Sequence, residues 1–530
     1  MTSDTDSRPS ARLLDVFAGG TPLPLHDVAA SRAWEAASAK VLPPHTLMAR
    51  AGLAIARVAL AVCPHARHIW VACGPGNNGG DGFVAATHLH QWSRSKGLGQ
   101  QITVSLHGRE ETLPEDARWA LTQMREAGLD LSPPPSAGGW DMCIDALLGI
   151  GGNRIPAGDL LAPWEALRKS AKPVIQVDIP SGLLADSGAW PPGDIPLTPP
   201  GAERHTLCLL SLKPGVFTAS GRDAAGRVWY DDLGTQPPAS LAPTAWLCGQ
   251  GSALRPDRPH ASHKGSFGDV LVAGGQRPSA DKAGMAGAAM LAARAALHAG
   301  AGRVYVCSIG GDTSPGEISW DPACPELMFR RVEQCLADPQ QLASPRTAVV
   351  CGCGGGHSIR QHLPALLSRT ARLVLDADAL NAIADDPGLQ ALLSQRRDRP
   401  DRLTVLTPHP LEAARLLGMG IADIQENRLT RATELSQRYG ALVVLKGSGS
   451  IVAAPGEAPW INRSGNARLA TAGTGDVLAG MIGAALAACE LAEDMPSLVR
   501  DAVWRHGHLA DTWPDHGARL TAGALAVLAG

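Results

Sequence analysis

The sequence predicts an α/β protein built as two domains, and three observations carry that reading. Short apolar runs recur along the chain, each followed by a loop of Gly, Asp, Asn or Pro and then by a segment of helical period. From about Gly234 to Arg258 the chain is Pro, Ala, Ser and Gly with little periodicity, including Pro237, Pro238, Pro243 and Pro256. That stretch separates two such series and sets domains of 1–240 and 241–530. Third, 530 residues suit two or three domains, and no repeat of about 20 to 50 residues is present, which excludes a solenoid.

Composition narrows the function classes. A formal charge of −3 with no basic run argues against nucleic acid as a partner. Apolar content of 45% with 59 Gly and 41 Pro suits a loop-rich enzyme. The polar start MTSDTDSRPSARLLD has no apolar signal segment, and the stretch Val477 to Cys489 is too short to cross a bilayer, so no membrane is expected. Eleven cysteines, an odd number, predict reduced thiols in a cytoplasm. Cys351 and Cys353 form a close pair without a second pair or a histidine at zinc spacing, and predict buried or loop thiols.

In the first series, residues 1 to about 20 read as a frayed tail, and two helical patterns run from Leu25 to Leu60. The strand His68 to Cys73 leads into the loop Gly74 to Gly82, and a helix follows from Phe83 to Trp92. Gly74, Gly76 and Gly79 satisfy GxGxxG, but the dinucleotide fingerprint also requires an acid about 20 residues on. The next strand, Ile102 to Leu106, ends in His107 and Gly108, so a hydride-transfer domain fits poorly. Strands at Met142 to Ile144 and Pro173 to Val177 end in Asp145 and Asp178. Three polar loops then meet at one sheet edge, where open parallel sheets bind ligands. Asn78, Asp145 and Ser181 offer oxygen but no thiol or imidazole, the donor set of a hard cation, and one carboxylate favours a monovalent ion. After the Pro-rich loop 191–200 comes a strand at Thr206 to Leu210, then Lys213-Pro214-Gly215.

The second series begins at His263-Lys264-Gly265-Ser266-Phe267-Gly268 and the strand Asp269 to Ala273, followed by a small-residue helix from Gly284 to Ala299. Strands follow at Arg303 to Cys307, Ala348 to Val350, Arg372 to Leu375, Leu403 to Leu406, Ala441 to Leu445 and Ile451 to Ala453, with Pro325 to Met328 in a loop. The loops after them carry Gly352 to Gly356, Asp376 to Asn381, Thr407 to Pro410 and Lys446 to Ser450. Lys446 before a glycine loop favours contact with a phosphate or a nucleotide edge, against a solvated hairpin lysine. His409 reads equally as a turn residue or a ligand. No GxxxxGK[ST] is present, so this is not a P-loop. The last loop is Gly473-Thr474-Gly475-Asp476, opening a helix with Val477, Leu478, Met481, Ile482, Ala485 and Leu486 at helical period. Unpaired first-turn amides favour a phosphate there. Asp476 beside such a site reads as a base that takes a hydroxyl proton during phosphoryl transfer, or equally as an N-cap if GTGD stood alone.

Taken together these motifs resemble a family: the bifunctional repair enzymes for hydrated NAD(P)H, an NAD(P)HX epimerase joined to an NAD(P)HX dehydratase. The first half is similar through Leu47-Met48, Ala51-Gly52, the 77–82 stretch, Asp145 and Asp178-Ile179-Pro180-Ser181-Gly182. The second is similar through HKGSFG (263–268), PELM (325–328), DADALN (376–381), TPHP (407–410), KGSGS (446–450) and GTGD (473–476). The resemblance implies a Rossmann-like three-layer sandwich followed by a ribokinase-like α/β domain.

It also implies a substrate site at Asn77, Asn78, Gly79, Gly80, Asp81, Gly149, Ile150, Gly151, Gly152, Asn153, Arg154, Ile155 and Asp178, with K⁺ on Asn78, Asp145 and Ser181. In the dehydratase it implies substrate contacts at Ala286, Gly354 and the rest of the 352–356 loop, His409 and Asp476. Lys446, Gly447, Ser448, Gly449, Ser450 and Gly475 would face ADP, with Mg²⁺ at that site. NADHX, NADPHX and ADP are the implied partners, and a homo-oligomer the implied assembly. The family pattern GPGLG reads Gly-Cys-Gly-Gly-Gly at 352–356 here, which predicts a looser loop. Asp145 and Asp178 are both candidates for a proton shuttle in epimerisation. The alternative is a small-alcohol kinase on the same fold, fused to a non-catalytic ligand-binding domain; phosphate left on the product would mark it.

Overall fold

The computed structural model describes residues 13–136, 138–251, 260–276, 284–310, 320–514 and 517–530. Residues 1–12 of the predicted tail and 252–258 of the predicted junction lie outside the described residues. The chain forms two compact units, one taking the chain up to Gly20 and Pro24–Ala245, the other Thr21–Leu23 and Trp246–Gly530. Two parts of the aperiodic text are strands. Leu14–Asp15 pairs antiparallel with Arg227–Asp231, and Ala245–Leu247 pairs with Trp460–Ile461. Strands of two or three residues are too short to show a period.

The first unit holds a seven-stranded sheet, in spatial order Leu14–Asp15, Arg227–Asp231, Arg204–Leu209, Val174–Val177, Met142–Ala146, His68–Cys73 and Gln101–Leu106. All neighbours after the first pair are parallel. Strand side chains alternate between faces, so one strand feeds two cores. Ile69, Val71 and Cys73 join the core with Ile55, Phe83 and Leu121, while Trp70 and Ala72 face Trp140 and Trp164. Helices on both faces make the sandwich three-layered. Chain order reverses between His68–Cys73 and Met142–Ala146, and such a reversal opens a crevice at the carboxyl ends of those two strands.

The helix after His68–Cys73 begins at Asn77, six residues earlier than predicted, and runs to Lys96. The glycines read as loop are helical, and close packing explains them. A Cβ on Gly79 would meet Gly74, one on Gly80 would meet Met48 and Ala117, and one on Gly82 would meet Cys73 and Ala146.

The second unit repeats the plan. Its parallel strands lie in the order Met328–Arg331, Arg303–Ser308, Asp269–Gly274, Thr347–Cys351, Arg372–Leu375, Leu403–Leu406 and Leu442–Leu445. Ile451–Ala453 then pairs antiparallel with the last of these. Met328 therefore opens an edge strand instead of closing a loop. Chain order reverses between Asp269–Gly274 and Thr347–Cys351. The predicted buried helix is present at Thr474–Ala488, and its direction is decided at its far end. There the Leu486 carbonyl accepts from Arg372, the first residue of its strand, and Ala487 packs at Gly268, just before another. The other end, GTGD, consequently lies at the carboxyl edge of the sheet. Cys307 and Cys335 are joined in a disulfide, which corrects the expectation of eleven reduced thiols; the end of one strand lies beside the helix Val332–Leu336.

Helix Thr474–Ala488 crosses Ala286–His298 at Gly480, where a Cβ would overlap the Ala292 carbonyl. Gly480→Val is expected to lower stability in urea unfolding by about 1–3 kcal/mol through overpacking. Gly287→Ala, with open space around it, is expected to be neutral or mildly stabilising, as Ala is in a helix.

Candidate functional site

The first reversal is a cleft of about 650 Å³. Asn77, Asn78, Asp81, the whole run Gly149 to Ile155 and Asp178 line it. Gly79 and Gly80 do not, because they are spent on packing beneath it. Asp145 and Ser181 lie behind the cleft wall, both buried. Ser181 Oγ donates to Asp145 at 2.6 Å, and the Leu147 amide donates to the same carboxylate at 3.2 Å. Burial nevertheless raises the Asp145 pKa, against those hydrogen bonds and the smaller pull of Arg168. Asn78 packs on Gly149, and its buried Nδ2 has no partner among the described residues.

Asp178 adopts φ 70°, a left-handed conformation that non-glycine residues avoid and that clusters at functional sites. Its carboxylate is paired with the buried Lys213 and accepts from the Leu209 amide at 3.3 Å. Around it the cleft is crowded with acid. Burial, then Asp178, Glu35 and Asp116, push the Asp81 carboxyl well above the usual range. Glu35 is also raised, by burial first and Asp178 next, against Lys213. Groups raised in this way can hold a proton and release it.

The second reversal brings together loops distant in sequence. Lys446 Nζ donates to Asp376 at 2.6 Å, and Thr407 Oγ1 donates to the same carboxylate oxygen at 2.7 Å. Burial works against the charge on Lys446, but Asp376 and then Glu412 outweigh it and raise its pKa. Gly475 is the neighbour that leaves room for this ammonium, since a Cβ there would sit 3.3 Å from Nζ. The Lys446 amide donates to Pro408, tying KGSGS to TPHP. His409 caps the helix Pro410–Leu417 through Nδ1, while the buried Glu412 returns a bond to the His409 amide.

Asp476 sits three residues into its helix, and the N-cap is Gly473, at φ 92°. Burial, with Asp376 second, raises the Asp476 carboxyl to about 6, against a hydrogen bond with Cys353 and the charge of Lys446. His506, from the helix Met495–Asp511, is held neutral with its pKa lowered by burial to about 4. Its Nε2 donates to the Thr474 carbonyl at 2.9 Å and steadies the first turn. Donor atoms of Cys353, Asp376 and Asp476 lie within 4.8 Å of one another. The loop 352–356 is not loose: Gly352 donates to Ala273, Gly275 and Gln276 donate to Cys353 and Gly354, and Gly356 donates to Asp378.

The family model described as NAD(P)H-hydrate dehydratase matches residues 274–527, and the model of the YjeF-related protein N-terminus matches 44–215. The bifunctional NAD(P)H-hydrate repair enzyme Nnr of Escherichia coli K12 is 36% identical over 472 residues, covering 85% of this chain and 82% of that protein. The enzyme of the same name from Vibrio cholerae is 34% identical over 500 residues, covering 92% of each. This chain belongs to the bifunctional NAD(P)H-hydrate repair enzymes. Among solved structures, an ADP/ATP-dependent NAD(P)H-hydrate dehydratase from Bacillus subtilis, co-crystallized with ATP/Mg²⁺, is 30% identical. It covers 52% of this chain and 92% of its own, with a TM-score of 0.41.

In this repair enzyme Gly354, Ala286, His409, Lys446, Gly475 and Asp476 all lie in loops or helix starts at the second crevice. Ala286 begins its helix against Gly275, and Gly354 packs on the residues beside it, Met285 and Ala288. Gly447 to Ser450 form the turn between two strands, with Gly447 against the buried Arg428. Sequence reading missed several members. Asp376 stood within DADALN but offered no sign of its pairing with a lysine 70 residues on. Glu35, Asp116 and His506 gave no local signal at all, and Glu412 was visible only as an acid opening the helix after TPHP. Lys213 was noted after its strand, but its partner Asp178 is 35 residues away.

Removing one member of a buried ion pair leaves the other uncompensated. Lys446→Met is expected to lower stability in urea unfolding by about 3 kcal/mol or more, and adding Asp376→Asn to restore most of it. Additive losses from the two changes would contradict the coupling.

Proposed function

We propose that the first unit, which takes in Pro24–Ala245, interconverts the R and S forms of hydrated NADH and NADPH. The second, which takes in Trp246–Gly530, dehydrates the S form back to NAD(P)H at the expense of ADP. The observation that carries the reading is Asp476: a carboxyl with a pKa near 6, beside a buried ammonium, in the first turn of a helix that no side chain caps. The substrate hydroxyl on C6 is a poor leaving group at neutral pH. Asp476 takes its proton as the hydroxyl oxygen attacks the terminal phosphorus of ADP, and AMP leaves. Lys446 and the GTGD amides balance charge on the phosphoryl oxygens. The N1 lone pair then expels phosphate from C6, and loss of the C5 proton gives the dihydropyridine. Asp376 Oδ2 accepts from neither Lys446 nor Thr407 and meets only the weak Cys353 Sγ donor at 4.0 Å, and that oxygen would hold Mg²⁺ together with nucleotide phosphates. Such an ion supplies further charge neutralisation at the phosphoryl group.

In the first unit, Asp178 on the cleft wall is assigned the proton shuttle for release and readdition of the C6 hydroxyl, with the raised acids Asp81 and Glu35 beside it. Asp145, Ser181 and Asn78 behind the wall would hold K⁺. A buried carboxylate with no salt bridge among the described residues, and an amide that can turn its oxygen inward, suit a monovalent ion. Such an ion would supply charge compensation for the Asp145 carboxylate. A cytoplasmic homo-oligomer completes the reading; among the described residues, no helix is long and apolar enough to cross a membrane.

Asp476→Asn tests the base. Its kcat for dehydration is expected to fall roughly 10²–10⁴-fold while ADP affinity holds. The wild-type rate should climb as pH rises through about 6, where Asp476 loses its proton, and the variant should lose that step. A folded-state pKa above the unfolded value costs stability as pH rises from about 4 to 6, so the variant should melt no earlier than wild type at pH 7. Near-normal turnover would contradict the assignment.

A further inference from the structure

Gln276 follows the strand Asp269–Gly274 at the second reversal of strand order. It is 6% exposed, and its Oε1 is buried with no hydrogen-bond partner among the described residues. The backbone that carries it is held in place. Its backbone N–H donates to Gly354 at 2.6 Å, and its carbonyl accepts from Met285, the residue before Ala286, at 2.8 Å. Its amide packs against Gly356, where a Cβ would overlap Oε1, and Gly356 has φ 54°. A buried acceptor left without a donor is costly, so one placed beside a ligand crevice has a donor to receive.

We infer that Gln276 Oε1 accepts a hydrogen bond from the carboxamide N–H of the hydrated nicotinamide ring and so selects substrates that carry a carboxamide. The inference rests on the dehydratase reading given above. The glycine loop meets Asp476 at one end, where Cys353 Sγ lies within 4.8 Å of its carboxylate, and Gln276 at the other, through Gly356. In the ring, C6 and C3 are para to each other. A ring laid along the loop with C6 at Asp476 therefore directs its C3 substituent toward Gln276. The carboxamide presents two N–H donors there, and the acceptor meets one of them.

The test compares the S-hydrate of NADPH with that of its 3-acetylpyridine analogue, in which a methyl ketone without N–H replaces the carboxamide. With ADP present, wild type is expected to favour the carboxamide substrate by about tenfold or more in kcat/KM. Gln276→Met should bring that preference to about twofold or less, while Gln276→Glu, which keeps an acceptor oxygen, should retain it. A purely structural role would lower both substrates alike and leave the ratio unchanged, and that result overturns the inference. Should the Met variant not fold, loss of the preference in a Glu variant that still binds ADP normally overturns it equally. If wild type makes no NADPH from the natural hydrate, the dehydratase reading itself has failed, which is a separate result.

Discussion

Reversal of strand order in a parallel sheet is the constraint on which both sites depend. At the reversal, connections leave in opposite directions from adjacent strand ends, and the sheet keeps an open crevice there. The first unit places Gly74 to Asn78 and Asp145 to Gly149 at its reversal, and the second places Gly274 to Gln276 and Gly352 to Gly356 at its own. Helix direction then follows. A helix that packs antiparallel to the strands brings its free amides to the same edge, as Thr474–Ala488 does, pinned at its far end by Arg372.

Both crevices gather carboxylates in partly dry surroundings, and they differ in how the charge is managed. In the second, Lys446 lies between Asp376 and Glu412 and draws Asp476 part of the way down, leaving a pKa of about 6. That value suits a group that must be mostly ionised at neutral pH yet still hold a proton in passing. In the first, Lys213 is committed to Asp178, and Asp81 and Glu35 are left raised. One site therefore sets a raised carboxyl beside a cation, and the other gathers raised acids around a lysine already paired.

Much of this was legible in the sequence because parallel strands end in polar loops, and those loops are contiguous text. Asp145, Asp178, Lys446 and Asp476 were each found that way. The glycines of 79–82 were misread as loop because chain-reversing and helix-packing glycines look alike in one dimension; only their neighbours Gly74, Met48 and Ala117 distinguish them. The Gly-Cys-Gly-Gly-Gly loop was expected to be loose, yet backbone bonds to Ala273, Gly275 and Gln276 hold it. Pairings across long separations, Asp376 with Lys446 or Cys307 with Cys335, have no local signature. Gln276 had none either, since an unpaired acceptor is a property of the folded environment.

The central claim is that two independent sites act in sequence on one damaged coenzyme. Its most direct measurement supplies the R-hydrate of NADPH with ADP and follows NADPH formation by absorbance, for wild type and for Asp145→Ala. Wild type is expected to convert the R form; the variant should lose that activity and still dehydrate the S form at the wild-type rate. Equal loss on both forms, or undiminished use of the R form by the variant, would contradict the account.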